Sequence, residues 1–183
     1  MRLRSMMATI AATIVLVSAA GSAGAAESNT SVAALDLDRY TGTWHEIAHL
    51  PMFFQRQCVD NITATYSKLA GGDIEVRNAC RTRDGSHDES VGVARGVPGK
   101  PGELKVRFAP AWLSWVPGVW ADYWVVALDP DYQWAVVGGP SRKYLWILSR
   151  SPTMPRARYD QLVAAAAAKG YPTDKLVVAA PIE

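Results

Sequence analysis

A series of eight short segments with β-type sequence is the feature that most constrains the fold of this chain of 183 residues. Turn signals such as Gly71-Gly72, Asp84-Gly85 and Asp129-Pro130 separate successive segments. Short strands at such regular spacing are typical of an antiparallel barrel or sandwich. The predicted strands are residues 43–50, 61–69, 73–82, 87–97, 103–109, 120–128, 132–138 and 143–150.

A single helix follows the eighth predicted strand. Pro155 is suited to the first turn of this helix and Gly170 to its end. Strands 123–128 and 144–148 are apolar on both faces, so we expect the helix to cover the outside of the sheet there. A short ninth strand is predicted at 175–179. The apolar stripe of the helix is Tyr159, Leu162, Val163, Ala166 and Ala167.

The N-terminal residues have the pattern of a secretory signal peptide. Arg2 and Arg4 precede an apolar run, and Ala23-Gly24-Ala25 is a small-residue cleavage site. The apolar run of about a dozen residues is shorter than the roughly 20 that a membrane-spanning helix needs. We therefore predict a cleaved signal peptide at residues 1–26, a flexible tail at 27–34 and a single domain at 35–183, exported to the periplasm or secreted.

The only two cysteines, Cys58 and Cys80, lie in the exported part of the chain. An even number of cysteines in an oxidising compartment favours a disulfide, and the alternative is a reactive thiol. The formal net charge is +2 and the basic residues are scattered singly, which argues against nucleic acid as a partner. His45 and His49 share the predicted outer face of the first strand and only His87 stands beyond them, so we expect no metal site and no cofactor.

Three motifs lie far apart in the chain but at related positions in the predicted strands. Gly42-Thr43-Trp44 opens the first strand, Asp129 to Tyr132 forms a turn between two strands, and Arg150 ends the eighth. An up-and-down antiparallel barrel brings all three to one end, where Arg150 can lie over Trp44 as a cation–π pair. The predicted barrel is thus closed at that end and open at the other, which suits ligand binding rather than catalysis.

The motifs in their order resemble those of the lipocalin family, in particular its bacterial (outer membrane lipoprotein Blc-like) and apolipoprotein D-like branch. Residues 40–48, 127–132 and 145–152 are similar to the first, second and third lipocalin motifs, and 61–67 is typical of this branch. The resemblance extends from Leu35 to Val178. It implies an all-β, eight-stranded calyx with a flanking helix.

The resemblance also implies a function, namely binding and transport or storage of a small lipophilic ligand. In the bacterial branch this ligand is thought to be a fatty acid or a lysophospholipid that serves the outer membrane. Many bacterial relatives carry a lipoprotein cysteine after the signal peptide, where this chain has Ala25-Ala26-Glu27. We therefore expect a soluble monomer or homodimer without a lipid anchor, in transient contact with the membrane.

Strand alternation predicts which side chains line the cup. Asn78 shares a face with Ile74 and Val76, and Tyr66 and Tyr123 fall at similar heights on neighbouring walls. The predicted ligand-binding residues are Tyr66, Asn78, Tyr123 and Trp146. Glu46 shares a strand face with Trp44 and is expected to point inward, in a structural network rather than as a catalytic acid.

Two aromatic segments are predicted at the open rim. Phe53 and Phe54 follow the first strand, and the loop 111–120 contains three tryptophans, which cannot all reach the barrel interior. Exposed aromatic side chains mark a contact surface, and tryptophan favours the membrane–water interface. We predict that Phe53, Phe54, Trp112 and Trp115 contact a membrane, with a dimer contact at the mouth as the alternative.

Other functions on the same fold stay open at this point. An enzyme acting on a lipophilic substrate would need a free cysteine or Glu46 with a raised pKa. A haem or tetrapyrrole binder would need a histidine as axial ligand. A pure interaction module would bind no small ligand at all. Since no catalytic constellation is evident, we predict that the protein is not an enzyme.

Overall fold

The computed structural model describes residues 27–183, so the predicted signal peptide lies outside the described residues. The elements follow one another in the order predicted from the sequence, with one additional short helix before the first strand. They are α1 (Leu37–Tyr40), β1 (Gly42–His49), β2 (Cys58–Lys68), β3 (Ile74–Thr82), β4 (His87–Val97), β5 (Lys100–Arg107), β6 (Ala121–Leu128), β7 (Trp134–Gly138), β8 (Trp146–Ser149), α2 (Arg156–Ala168) and β9 (Val177–Val178).

Strands β1 to β8 form a closed antiparallel barrel. Each strand from β1 to β7 pairs with the next along the chain, and β8 pairs with β1, so the ring closes. The ninth strand attaches to β1 outside the ring. This arrangement confirms the predicted eight-stranded up-and-down barrel with a ninth strand. Full closure leaves none of the eight strands as an open edge.

The apolar side chains divide into an inner and an outer cluster. Trp44, Ile74 and Leu104 belong to the cluster inside the barrel, whereas Ile47 and Ile147 belong to the cluster outside it. Successive side chains of a strand point to opposite faces, which is why strands such as β8 supply both clusters. The two apolar faces of β8 are therefore both buried, one in the barrel and one beneath the helix.

Helix α2 is the cover of the outer cluster. Tyr159, Leu162 and Ala166 are buried against the outer face of the barrel. Val163 is only partly buried and Ala167 is exposed, so the contacting stripe is narrower than the predicted one. Beyond the helix, the hydroxyl of Tyr171 accepts from the backbone N–H of Gly139 at 3.1 Å, which ties the end of the helix to the barrel.

Residues 27–34 lie along the barrel and make contacts that the prediction of a flexible tail did not include. The backbone N–H of Val32 donates to the carbonyl of Val125 at 2.8 Å, and the side chain of Asn29 donates to the carbonyl of Gly139 at 3.0 Å. The short helix α1 follows. Its N-cap is Asp36, whose carboxylate accepts from the N–H groups of Asp38 and Arg39, as expected of this residue type.

A β-bulge in β1 changes the direction of its last residues. The pairing with β8 shifts between Glu46 and Ala48, so Ile47 and Ala48 both face the outer cluster. His49 then pairs with Trp146 and lies on the inner side of the strand. The prediction that His49 faces outward is therefore wrong, because a bulge inserts one residue and reverses the alternation beyond it.

The two cysteines form the predicted disulfide, which joins the start of β2 to the end of β3. Among residues 27–183, no helix is long and apolar enough to cross a membrane. Within the same range, no group of three or more His, Cys, Asp or Glu side chains is placed to hold a metal ion.

Candidate functional site

One end of the barrel is closed by Arg150 and Trp44. The guanidinium carbon of Arg150 lies 3.8 Å from the centre of the Trp44 ring, and Trp44 is fully buried. The guanidinium also donates hydrogen bonds to backbone carbonyls of the segment that crosses this end, those of Arg39, Thr41 and Thr43, at 2.9, 2.8 and 2.8 Å. A single cation thus fixes the start of β1 and the helix α1 over the floor of the barrel.

Gly42 and the turn from Asp129 to Tyr132 support this closure. Gly42 has φ +92°, a backbone conformation that favours glycine, and it lies beside the Arg150 guanidinium. In the turn before β7, the carboxylate of Asp129 accepts from the N–H of Gln133 at 3.1 Å. Tyr132 has φ +58°, and its ring lies 4.2 Å from the guanidinium of Arg39. The three sequence motifs therefore meet at the closed end.

The barrel interior contains a cavity of about 490 Å³, which we call the cup. Its volume falls within the range of small-molecule sites in proteins. Phe54, Tyr144 and Val119 lie at the open end of the cup and Tyr66, Tyr123 and Leu148 lie toward the floor. All four residues predicted to bind ligand line the cup, namely Tyr66, Asn78, Tyr123 and Trp146.

Three tyrosines form a chain of hydroxyl groups at the base of the cup. The Tyr123 hydroxyl is 2.8 Å from that of Tyr66 and 2.8 Å from that of Tyr40. Burial raises the pKa of Tyr66 to about 12 and raises the pKa values of Tyr40 and Tyr123 well above the usual value. The hydroxyls therefore stay protonated in neutral and mildly alkaline solution, as neutral donors and acceptors. Tyr66 and Tyr123 approach across the interior, because β2 and β6 are not neighbours in the sheet, contrary to the prediction of neighbouring walls.

Glu46 is a buried carboxyl group in the wall of the cup. Its side chain is 6% exposed, and its Oε1 accepts a hydrogen bond from the Gln55 amide at 2.7 Å. Burial raises the pKa of Glu46 to about 8, against the opposing effect of the Gln55 hydrogen bond. The His49 Nε2 lies 3.9 Å from the same oxygen, and burial lowers the pKa of His49. Near pH 7 this is a neutral carboxylic acid beside a neutral imidazole, not an ion pair.

Among the acidic and basic residue types, only those with carboxyl groups line the described wall of the cup. Glu46, Asp88 and Asp122 line it, and no Lys, Arg or His among the described residues does so. Asp122 is paired with Lys105, which reaches it from an exposed position. The wall of the cup, as formed by residues 27–183, therefore offers neutral donors and acceptors, aromatic rings and carboxyl groups but no cation.

The open rim carries aromatic side chains on both of its long loops. Phe53, Trp112 and Trp115 are 68%, 71% and 78% exposed, while Phe54 lines the cup and contacts Tyr144 with ring centroids 5.8 Å apart. The third tryptophan of the loop, Trp120, has a different place. Its indole N–H donates to the Ser114 carbonyl at 3.0 Å, and its ring lies near the guanidinium groups of Arg95 and Arg107.

Two members of the site were not identified as a pair from the sequence. Glu46 was expected to face inward in a structural network, and its hydrogen-bond partner in that network is Gln55. Gln55 lies in a single 3-10 turn (Phe53–Gln55), which has no periodicity from which to infer a side-chain direction. Tyr40 was also missed, because the four-residue helix that carries it is too short to produce a pattern.

Comparison with known proteins agrees with this architecture. The family model described as a lipocalin-like domain matches residues 35–181 of this chain. Temperature-induced lipocalin-1 of Arabidopsis thaliana is 43% identical over 148 residues, which cover 79% of this chain and 78% of the relative. The outer membrane lipoprotein Blc of Citrobacter freundii is 34% identical over 177 residues, which cover 97% of this chain and 96% of the relative.

Solved structures show the same fold at lower identity. The cockroach allergen Per a 4 has a TM-score of 0.65 at 19% identity, and the match covers 85% of this chain and 94% of the allergen. Insecticyanin from the tobacco hornworm Manduca sexta has a TM-score of 0.61 at 21% identity, with 87% and 93% covered. At these identities the similarity concerns the fold alone.

Proposed function

This chain belongs to the lipocalin family, whose members bind small hydrophobic ligands, and on that basis we propose that it binds and transports or stores a fatty acid or a lysophospholipid. The role that we infer for this binding is maintenance of the cell envelope. Its Citrobacter freundii relative is named as an outer membrane lipoprotein, which supports a location in the cell envelope for this chain as well.

The cup is the observation that carries the proposal. It has about 490 Å³ of space inside a closed barrel, with an apolar wall and a few placed polar groups. Val76, Val106 and Leu148 are suited to an acyl chain, and Asn78 and Tyr66 offer hydrogen bonds to its polar end. We propose Tyr66, Asn78, Tyr123 and Trp146 as ligand contacts.

The experiment that tests this function is native mass spectrometry of the mature protein, purified without detergent, followed by lipid analysis of its organic extract. A retained mass of a few hundred daltons that resolves as a fatty acid or lysophospholipid supports the carrier function. A protein without retained lipid, whose mass does not change when lipids are added, contradicts it.

Delivery of lipid at a membrane is the second part of the proposal. Trp112 and Trp115 are exposed beside the mouth of the cup, in a loop (residues 108–120) that contains no charged residue. Such a surface suits the membrane–water interface, where the indole ring is desolvated and its N–H is hydrated. With Phe53 and Phe54 on the facing loop, this surface would bring the mouth of the cup to the lipid. We also propose that the chain is exported by its signal peptide and is not lipid-anchored, since Ala25-Ala26-Glu27 offers no cysteine.

The membrane contact can be tested with liposome co-sedimentation. Changing Trp112 and Trp115 to Ser should weaken liposome binding about tenfold or more, while the ligand content of the cup stays the same. The control is a double change of exposed apolar residues away from the mouth, Leu69→Ser and Val91→Ser, which should leave liposome binding intact. Binding that is unaffected by the tryptophan changes would favour the dimer contact instead.

An enzyme on this fold is the alternative that one observation supports, namely the raised pKa of Glu46 inside the cup. The cysteines offer no free thiol, because both are in the disulfide. A carrier should release the lipid it binds chemically unchanged, so recovery of a converted lipid after incubation would favour the enzyme. A haem site would need a histidine as axial ligand, and no histidine among the described residues lines the cup.

A further inference from the structure

A carboxyl group is an unexpected component of an apolar cup, and Glu46 is held there by specific contacts. It lies on β1, two residues above the tryptophan of the floor, and Gln55 from the rim turn donates to its Oε1 at 2.7 Å. Glu46 is one of the residues that line the cup. A buried carboxyl group without a cationic partner is costly in its ionised form, so its neutral form is the one compatible with this site.

Burial, and not a neighbouring charge, makes the neutral form of Glu46 the stable one. The Nε2 atom of His49, on the same strand, lies 3.9 Å from Oε1 of Glu46, and burial lowers the pKa of His49. Burial raises the pKa of Tyr66 on β2. Asp88 on β4 also lines the cup, and Asp122 on β6 is paired with the cation Lys105. Burial raises the pKa of Glu46 to about 8, so the acid keeps its proton near pH 7.

A neutral carboxylic acid differs from a carboxylate in what it can bind. It has one O–H donor, whereas the ionised group only accepts hydrogen bonds. An ester or hydroxyl oxygen of a lipid is a suitable acceptor for that donor. An ionised carboxylate of a ligand would have to leave water for a cup without a described cation and with further carboxyl groups in its wall.

We propose that Glu46 determines which lipids the cup accepts, by donating a hydrogen bond from its carboxylic acid to an uncharged oxygen of the ligand. The cup then selects lipids whose buried polar end is an ester or a hydroxyl, such as monoacylglycerols, over ionised fatty acids. A lysophospholipid fits the same rule when its glycerol ester lies in the cup and its phosphate stays in water at the mouth. This inference rests on the proposed function, because it concerns the ligand of the same cup.

The test compares two lipids with the same chain, monododecanoylglycerol and dodecanoate, by titration calorimetry against the mature protein. At about pH 7 we expect the glycerol ester to bind at least about tenfold more tightly than the ionised acid. If the protonated acid is the donor, the affinity for the ester should fall about thirty-fold between about pH 7 and about pH 9.5, because Glu46 ionises with a midpoint of about 8. The tyrosines of the cup keep their protons over that range.

Variants separate Glu46 from other causes of pH dependence. Glu46→Gln keeps a neutral donor, so its affinity for the ester should stay within about threefold of the wild-type value at pH 7 and should not change with pH. Glu46→Leu removes the donor and should bind the ester about tenfold more weakly than the wild-type protein does at pH 7, with no further change up to pH 9.5. The matched control is Glu75→Gln on the outer face of β3, which should show the wild-type pH profile.

Different outcomes would overturn different statements. Equal affinities for the two lipids at pH 7, or the same alkaline loss in wild-type protein and Glu46→Gln, would overturn the role of Glu46 and leave the carrier function standing. So would unchanged binding by a folded Glu46→Leu variant. Failure of the folded wild-type protein to bind either lipid at any pH would overturn the proposed function, and this inference with it.

Discussion

At the scale of the residue, Glu46 links stability to pH as well as to ligand choice. Its pKa in the folded protein is raised to about 8, above the usual 4.5 of an exposed side chain. The protonated form is therefore favoured by folding, and its contribution to stability is fully present below about pH 4.5. This contribution is lost progressively as the pH rises through 8.

Glu46→Gln should remove this loss. We expect the free energy of unfolding of the wild-type protein to fall by roughly 3–5 kcal/mol between about pH 4.5 and about pH 9.5 relative to that of the variant. Urea unfolding at a series of pH values measures the difference. Parallel pH profiles for the two proteins would show that Glu46 is not the buried titrating group.

The role of Arg150 at the floor depends on its guanidinium group and not on its positive charge alone. Its planar guanidinium stacks on Trp44 and reaches the carbonyls of Arg39, Thr41 and Thr43 together. Lysine has a compact ammonium group that cannot make this set of contacts. The closure of the floor therefore depends on arginine in particular.

Arg150→Lys should lower the free energy of unfolding by roughly 2–4 kcal/mol, because several backbone carbonyls lose a charged donor. Arg156→Lys is the control, since Arg156 is exposed on α2 and should change stability by less than about 0.5 kcal/mol. Chemical denaturation of both variants at neutral pH provides the comparison. Equal effects would mean that the guanidinium geometry contributes nothing at the floor.

At the scale of the element, α2 shows how a helix stabilises the barrel without forming the site. Leu162 is almost fully buried in the outer cluster, on the side of the wall away from the cup. Leu162→Ala should destabilise the protein by roughly 2–4 kcal/mol through the cavity it leaves. Ligand affinity of the folded variant should stay within about threefold of the wild-type value.

The control for this prediction is Gln161→Ala, one residue earlier on the exposed face of the helix. Gln161→Ala should change the free energy of unfolding by less than about 0.5 kcal/mol. A large loss of ligand affinity in Leu162→Ala, measured under conditions where the variant is folded, would contradict the separation of outer cluster and cup.

Most elements were predictable because their signals are local. Turn residues such as Gly71-Gly72 divide the strands, and the alternation in residues 74–78 identifies the inner face. The helix α2 follows from its apolar spacing and from Pro155 and Gly170. These signals are repeated along the chain, so small errors at strand ends left the topology unchanged.

The parts that sequence patterns missed depend on contacts between distant segments. The inward direction of His49 depends on a bulge, which has no signature in the residues of β1. The pairing of Glu46 with Gln55 depends on how the rim turn folds back over the mouth. Residues 27–34 contact the barrel in part through backbone hydrogen bonds such as that from Val32 to Val125, to which side-chain composition gives no clue.

At the scale of the whole molecule, the two ends of the barrel are built differently. The closed end is fixed by buried aromatic rings and one guanidinium, whereas the mouth has exposed loops with Trp112 and Trp115 at their surface. A closed floor and an open mouth suit the proposed carrier, since ligand must enter and leave at one end. The disulfide is the covalent link close to that mouth, between Cys58 and Cys80.

The disulfide should therefore stabilise the fold by limiting the unfolded chain. With a separation of 22 residues, the chain-entropy relation gives about 3 kcal/mol. Replacing both cysteines with Ser should lower the free energy of unfolding in urea by about this amount, and the wild-type protein in reductant should behave like the double variant. The double variant itself should not respond to reductant, which serves as the control. If reductant left the wild-type unfolding curve in place, although mass spectrometry showed both thiols free, the closure at the mouth would have to come from packing of the loops alone.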